Sequence, residues 1–426
     1  MKPGYKQSEV GTIPSDWDAM PAGTIGKFRG GNGFPLRFQG LSSGDHPFFK
    51  VSDMNNEGNE TLMISANNWI SEQTRKTLGA YLVPKDSIVF AKVGAAIFLE
   101  RKKIIARPSC IDNNMAAFVL DHDLADTNFF HSLLLSRKLG ALVATTALPA
   151  LNSKLLGEMI LPVPPLAEQR AIAAALNDVD LLLSGLDWLV AKKRDLKQAA
   201  MQQLLTGKIR LPGFSGDWEV KLFAEVCWFQ EGPGVRNTQF TASGIKLLNG
   251  TNIFRGTLNL DNTSRFISEK EAYGPYAHFL ADEGDIVLAS SGITIERLHE
   301  KVAFVRMQDL PFCMNTSTIR FKPLAGVLAA NYLFQFLTSA NFKRMIGGAA
   351  TGSAQLNFGP SHVARVELSV PPLREQNAIA EVLTDMDAEL AALEQRVAKN
   401  RALKQAMMQE LLTGKTRLVP TGATHA

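Results

Sequence analysis

A chain of 426 residues with 46% hydrophobic content is long enough for two or more domains with separate cores, and a formal net charge of +4 permits a nucleic-acid partner without demanding one. The three cysteines, Cys110, Cys227 and Cys313, are odd in number and far apart, which argues against a disulfide framework or a zinc site and for buried thiols. No apolar run approaches the roughly 18 residues of a membrane span, and the first residues, MKPGYKQSEV, form no apolar signal region, so no membrane association is expected and the chain should stay in the cytoplasm.

Residues 1–163 read as a first domain. Ile13-Pro14-Ser15-Asp16-Trp17 leads in, a glycine-rich turn follows at Gly30-Gly31-Asn32-Gly33, and Pro47-Phe48-Phe49-Lys50-Val51 has the character of a strand. Apolar runs over residues 86–91 and 116–120, bounded by turn formers, predict two more strands, and a helical pattern spans residues 128–142. The segment is α+β with sheet predominating.

Residues 164–211 predict one long helix. Pro165 suits the first helical position, Glu168 places negative charge in the first turn, and Gly207 follows the last apolar residues as an end cap. Ile172, Leu176, Val179, Leu183, Leu186 and Val190 recur by threes and fours, a seam that wants another helix against it. About 40 residues at 1.5 Å each would make a rod of roughly 60 Å, longer than an ordinary domain core and better suited to a spacer.

Residues 212–370 repeat the order of the first domain loosely. Phe214-Ser215-Gly216-Asp217-Trp218 mirrors the earlier lead-in, Gly232-Pro233-Gly234 stands for the glycine-rich turn, and Ile286-Val287-Leu288-Ala289 matches Ile88-Val89-Phe90-Ala91. Leu356-Asn357 precedes the next helix much as Leu151-Asn152 precedes the first. Residues 371–417 then return the long helix almost unchanged, and residues 418–426 are expected to be a flexible tail. PPLAEQRAIAAAL and LLTGKIR in the first copy become PPLREQNAIAEVL and LLTGKTR in the second, an internal repeat without a gap. The second seam is Ile379, Leu383, Met386, Leu390, Leu393 and Val397. Lys193, Lys197, Asn400 and Lys404 interrupt the stripes, either to fix register or as side chains that reach solvent. Two like helices separated by globular segments can pack antiparallel as a coiled coil and create a pseudo-twofold axis inside one chain. The predicted fold is therefore α+β: two α/β domains joined and spaced by two long antiparallel helices.

Catalytic signatures are missing. Gly414-Lys415-Thr416 ends like a Walker loop but Gln409 stands where the first glycine belongs, and there is no HExxH, paired CxxC, GxSxG, or adenine-methyltransferase tetrapeptide. Glu100-Arg101-Lys102 has the carboxylate-x-lysine form of metal-dependent nucleases without an accompanying Pro-Asp pair. No metal ligand set and no catalytic residue is assigned. What remains is polar and basic loop material: Arg37, Lys50, Asn55, Asn56, Lys92, Arg101, Lys102 and Lys103 in the first domain, and Arg236, Asn249, Thr251, Asn252, Arg255, Ser290, Ser291, Arg297 and Lys301 in the second. Arg and Lys pair with guanine edges or phosphates and Asn brackets adenine, so these types suit readout of double-stranded DNA. A stand-alone metal-dependent DNA endonuclease and a coiled-coil scaffold that never meets DNA are the alternatives.

The twin P-P-L-x-E-Q-x-A-I-A…L-L-T-G-K helices, with Gly4-Tyr5-Lys6-Gln7…Ile13-Pro14-x-x-Trp17, Phe49-Lys50-Val51-Ser52-Asp53-Met54 and Thr351-Gly352-Ser353-Ala354-Gln355-Leu356-Asn357, resemble the specificity (S, HsdS) subunits of type I restriction-modification enzymes. The first domain departs from the last pattern, with Leu148-Pro149-Ala150-Leu151-Asn152 in its place. The resemblance implies two target recognition domains, each reading half of a split, asymmetric DNA site, with the helices setting the unread gap. It implies two methyltransferase (M) subunits docked around the helix seams and two restriction (R) subunits completing the complex. S-adenosylmethionine, ATP and magnesium would then be used by those partners, and this chain would bind no cofactor and catalyse nothing alone.

Overall fold

The computed structural model describes residues 3–143, 149–349 and 356–418. Leu148, the stretch Thr351-Gly352-Ser353-Ala354-Gln355 and the tail beyond residue 418 lie outside the described residues. The chain divides into two compact units, Met1–Leu186 with Arg396–Ala426, and Asp187–Gln395. Each long helix is unbroken, Leu166–Leu204 and Leu373–Leu411, and each contributes residues to both units.

The first unit is built on a sheet in the order Gly26–Gly30, Met115–Leu120, Ile88–Ala91, Lys102–Ile105, Leu62–Met63, antiparallel except for the last pair. Two of its inner strands, Ile88–Ala91 and Met115–Leu120, read as continuous apolar runs because both faces are covered. Ile88, Phe90, Ile104 and Phe118 face one core; Val89, Ile105, Met115 and Ala117 face another. The first of these cores also takes Phe129, Phe130, Leu133 and Leu134 of the helix Thr127–Leu135, together with Ile172 and Leu176 of one long helix and Leu411 of the other. A smaller sheet runs Cys110–Ile111, His46–Phe49, Trp69–Ile70, and Asp18–Pro21 pairs with Ile160–Val163 at the foot of the long helix.

The second unit repeats this plan. Its larger sheet runs Cys227–Glu231, Thr318–Pro323, Ile286–Ala289, Val302–Phe304; its smaller one runs Phe266–Ile267, Ile245–Leu248, Phe312–Met314; and Glu219–Leu222 pairs with Glu367–Val370. The loose sequence repeat is thus a repeat of topology over four strands of the larger sheet and all three of the smaller one, while the edge strand Leu62–Met63 has no counterpart in the second unit's larger sheet.

Within each unit the helix segments run antiparallel. In the first, Glu168 meets Arg417 and Asp180 meets Lys404; in the second, Glu375 meets Arg210, Asp387 meets Lys197 and Glu389 meets Lys193. Ile172, Leu176, Leu183, Leu186, Val190, Ile379, Leu383 and Val397 are buried; Val179, Met386, Leu390 and Leu393 are half-buried. The lysines that interrupt the stripe do not simply reach for water: Lys193, Lys197 and Lys404 each bond a carboxylate of the opposite helix.

The sequence motifs converge on one clamp per unit. Glu168, fully buried, accepts from Trp17 Nε1 at 2.8 Å and from Arg417 Nε and Nη2 at 2.7 and 2.8 Å, and Arg417 also donates to Asp16 through Nη1 and the shared Nη2. Glu375 likewise accepts from Trp218 Nε1 at 3.1 Å and from Arg210 at 2.6 Å. The first-turn carboxylates are therefore buried ion-pair partners rather than mere complements to the helix dipole. The next residue completes the joint: Gln169 Nε2 donates to Leu124 O and Pro164 O while its Oε1 accepts from Asp126 N, and Gln376 does the same with Val327 O, Pro371 O and Ala329 N. Each glutamine satisfies backbone groups that burial would otherwise leave orphaned.

Three local expectations are corrected. The helical pattern of residues 128–142 stops at Leu135 and resumes as a tight turn over Leu139–Leu142, because the Glu100 carboxylate takes the N–H groups of Leu139 and Gly140. The apparent match of Leu151-Asn152 with Leu356-Asn357 is out of step. Leu151 N bonds Lys92 O while it is Phe358 N that bonds Ser290 O, and Asn152 caps a short helix as Gly359 does. Lys102 and Lys103 belong to a strand, not a loop.

Candidate nucleic-acid interface

In the second unit the ends of three strands and a following bridge gather polar side chains into one ridge. Asn249 follows the strand Ile245–Leu248, Ser290 and Ser291 follow Ile286–Ala289, and Asn315 to Ser317 follow Phe312–Met314. Asn315 Nδ2 donates to Asn249 Oδ1 at 2.8 Å, Gly250 N donates to Ser317 Oγ at 3.3 Å, Ser290 N donates to Ser317 O at 2.9 Å, and Ser291 Oγ donates to Asn357 Oδ1 at 2.8 Å. Gly232 lies so close beneath that a Cβ there would come 2.3 Å from Asn315 O, which is why the second glycine-rich stretch needs glycine.

Of the residues singled out from sequence, this ridge brings together Asn249, Ser290 and Ser291. Thr251 is exposed on the same turn, and buried Asn252 holds that turn by accepting from Asn249 N. Lys301 braces it from below through Nζ bonds to Gly250 O and Ile253 O. Arg255 and Arg297 form a separate group around Glu300, and Arg236 is exposed at the head of the turn Asn237–Gln239.

The first unit carries the same ridge with other residues. Lys50 heads the turn Val51–Asn55, on which Asn55 is exposed, and its Nζ donates to Gln39 Oε1 at 3.1 Å. Lys92 stands at the end of the central strand, half-buried. Asp112, 5% exposed, accepts from Asn114 through both oxygens. Gly31 repeats the close approach, since a Cβ would meet Asp112 O at 2.0 Å. Burial pushes the carboxyls of Asp53 and Asp112 above their ordinary range against the nearby Lys50 charge, and burial raises Glu231 in the second unit. Arg37 is exposed with its guanidinium over the Phe38 ring, Asn56 donates to Asn67, and Arg101 is half-exposed. Lys102 is 2% exposed and spends its ammonium on Glu100 and Arg137 O, so it holds the fold.

Sequence reasoning passed over Asp112, Asn114, Asn315 and Ser317. A signal was present: Cys110-Ile111-Asp112-Asn113-Asn114 and Cys313-Met314-Asn315-Thr316-Ser317 occupy matching places, each cysteine on the strand that pairs in parallel with the middle strand of the small sheet. The cysteines are free, buried thiols, pushed up by burial to about 11 at Cys110 and about 12 at Cys313. They are packing landmarks that precede the ridge residues.

Among the described residues no helix is long and apolar enough to cross a membrane. The family model of the type I restriction modification DNA specificity domain matches the chain twice, over residues 14–186 and 215–405. The chain is similar to the MjaVIII type I restriction enzyme specificity subunit of Methanocaldococcus jannaschii, 24% identical over 97% of this chain and 96% of that one. Its fold is like that of the type I restriction-modification S subunit from M. genitalium, with a TM-score of 0.56 at 14% identity over 96% of this chain and 99% of the other. It is also like a chain from a structural study of assembly in the type I R-M system, with a TM-score of 0.61 at 15% identity over 95% and 99%. Two ridges of one topology on repeated helices, and a family match covering both halves, lead to one conclusion: the protein belongs to the type I restriction-modification DNA specificity family, the S (HsdS) subunits.

Proposed function

We propose that this chain reads a bipartite, asymmetric DNA site, one half with each unit, and that it works in the cytoplasm as the sequence-reading part of a larger enzyme. The carrying observation is the pair of ridges, alike in backbone and unlike in side chains, each in a unit that holds part of both long helices. In this reading the helix seams set the unread gap and offer docking surfaces to two methyltransferase subunits, with two restriction subunits added around them. Methyl transfer from S-adenosylmethionine and ATP- and magnesium-dependent cutting are the partners' chemistry, and this chain contributes recognition alone.

The test is methylome sequencing of cells carrying the chain with its methyltransferase subunit. A two-part motif with a fixed gap is expected; sequence-specific methylation of one continuous motif would remove the reading. Deleting one turn from each helix, residues 181–184 and 388–391, takes about 6 Å from the rod, close to roughly two base pairs. The gap should shorten accordingly, and an active double deletion with the old gap would show that something else sets it.

A further inference from the structure

Ladder register and backbone bonds fix which ridge positions correspond. Lys50 and Asn249 each head a turn by donating their N–H to the side chain three residues on, Asp53 and Asn252. Lys92 and Ser290 each leave the central strand and donate their N–H to Asn114 O and Ser317 O. Gly30 and Glu231 end the edge strand, one strand beyond the neighbour of the central one, Gly30 opposite Ala116 and Glu231 opposite Ile319, in ladders where Met115 faces Ala91 and Thr318 faces Ala289.

At these positions the first unit carries two ammonium donors, and the second carries one carboxylate acceptor beside an amide and a hydroxyl that both donate and accept. In the first, a Cβ at Gly30 would lie 2.6 Å from Lys92 Nζ, so the absent side chain is the space the ammonium fills. That ammonium has no hydrogen-bond or ion-pair partner among the described residues. In the second, the same strand end carries the Glu231 carboxylate, Asn249 replaces Lys50, and Ser290 replaces Lys92. The Ser290 Oγ is buried with no partner among the described residues, an orphaned polar atom of the kind a bound group satisfies. An ammonium only donates; a carboxylate only accepts. A carboxylate facing duplex DNA is repelled by phosphate unless it meets a base amino group.

We infer that the two ridges read complementary base edges: Lys50 and Lys92 the O6 and N7 acceptors of guanine, and Glu231, Asn249 and Ser290 the exocyclic amino groups of adenine or cytosine. This rests on the reading of each unit as the reader of one half-site. The first unit's half-site should contain guanine on the strand its lysines face, and the second unit's half-site should contain adenine or cytosine, not guanine or thymine, on the strand that Glu231 faces.

The experiment maps methylated motifs for the wild-type complex of this chain with its methyltransferase subunit and for complexes carrying Lys92→Ser, Lys92→Arg, Glu231→Gln and Ser290→Ala. Lys92→Ser should relax a guanine position in one half-site, with discrimination falling about 5- to 150-fold, the range of one good side-chain–base pair, and Lys92→Arg should retain guanine. Glu231→Gln and Ser290→Ala should relax adenine or cytosine positions in the other half-site and leave the first untouched. Where a variant methylates too little to map, gel-shift competition between duplexes differing at the one base pair gives the same ratio. Unchanged motifs in Lys92→Ser and Glu231→Gln, or relaxation of the same half-site by both, would overturn the assignment while leaving two-part recognition intact. A wild-type complex without a two-part motif would remove the underlying reading and this assignment with it.

Discussion

The clamps at the starts of the two long helices use the same residue types but are not equally closed. In the first unit Trp17 is fully buried and Arg417 is held by two carboxylates, Glu168 and Asp16. In the second, Trp218 is only half-buried, its ring lies under the Arg210 guanidinium at 5.3 Å, and Arg210 turns its spare nitrogen to the carbonyl of Gly216. The glutamine joints beside them are the same bond for bond, whereas the ridges match in backbone and differ in side chains. Attachment to the helices tolerates little change because each polar group there is buried and must be matched; the ridge mixes buried groups such as Asp112, Ser290 and Asn315 with exposed ones such as Ser291, and it is the side chains, not the backbone bonds, that differ between the units.

The largest expected effect follows from the clamp carboxylates. Glu168→Ala leaves Arg417 and the Trp17 indole N–H without their buried acceptor and should cost about 3 to 5 kcal/mol, as breaking a buried pair does. Glu375→Ala should cost less, because the two arginines are equally exposed but the half-buried Trp218 can turn its N–H to water while the fully buried Trp17 cannot. Hydrogen exchange resolved by unit, combined with urea unfolding, checks both; equal losses would mean that the extra closure of the first clamp adds nothing. Trp17→Phe comes next. It keeps one aromatic ring but removes the pyrrole half of the indole and with it the bond to a charged acceptor, which alone should cost about 1.5 to 3 kcal/mol before the cavity left at this buried site is added, more than Trp218→Phe at its wetter site.

Smaller effects belong to the interrupting lysines. Lys197 meets Asp387 and Lys404 meets Asp180, the same pair in each unit, and each partner is substantially exposed. Removing either lysine should cost about 0.2 to 1 kcal/mol and less in high salt. A charge exchange, Lys404→Asp with Asp180→Lys, should recover most of the loss if the pair sets register, and no recovery would mark it as incidental.

The smallest effect is a difference in acid. At Asp16 burial pushes the carboxyl up, but the Arg417 hydrogen bond and charge outweigh it and the net displacement is downward from 3.8. A carboxyl lowered in the folded state adds stability above its unfolded value and loses it as pH falls through the folded one. Asp16 should therefore support the first clamp at pH 5 and cease to do so in stronger acid, and Asp16→Asn should remove the dependence. The Arg210 bond to a carbonyl has no such term, so hydrogen exchange at pH 5 and pH 3 should separate the two clamps.

Local chemistry was legible where a pattern is repeated along the chain. The long helices follow from their apolar period and end signals, and the central strands from short apolar runs between turn formers. The helix of residues 128–142 was overdrawn because apolar spacing continues past Leu135, while its stop depends on Glu100, a residue distant in sequence. Lys102 looked like a loop cation because charge reads as surface, yet an ion pair and a carbonyl keep it inside.

By itself the sequence determined that the chain is a duplicated helix carrying two α+β segments, and which family that repeat resembles, because period, turn residues and repetition are properties of neighbours along the chain. Only tertiary structure decided that Trp17, Glu168 and Arg417 share one clamp, that the glycine-rich turns lie beneath Asp112 and Asn315, and that Lys92 corresponds to Ser290 and Gly30 to Glu231. Those facts come from strand register and from long-range satisfaction of buried polar groups, which no local pattern of residues encodes.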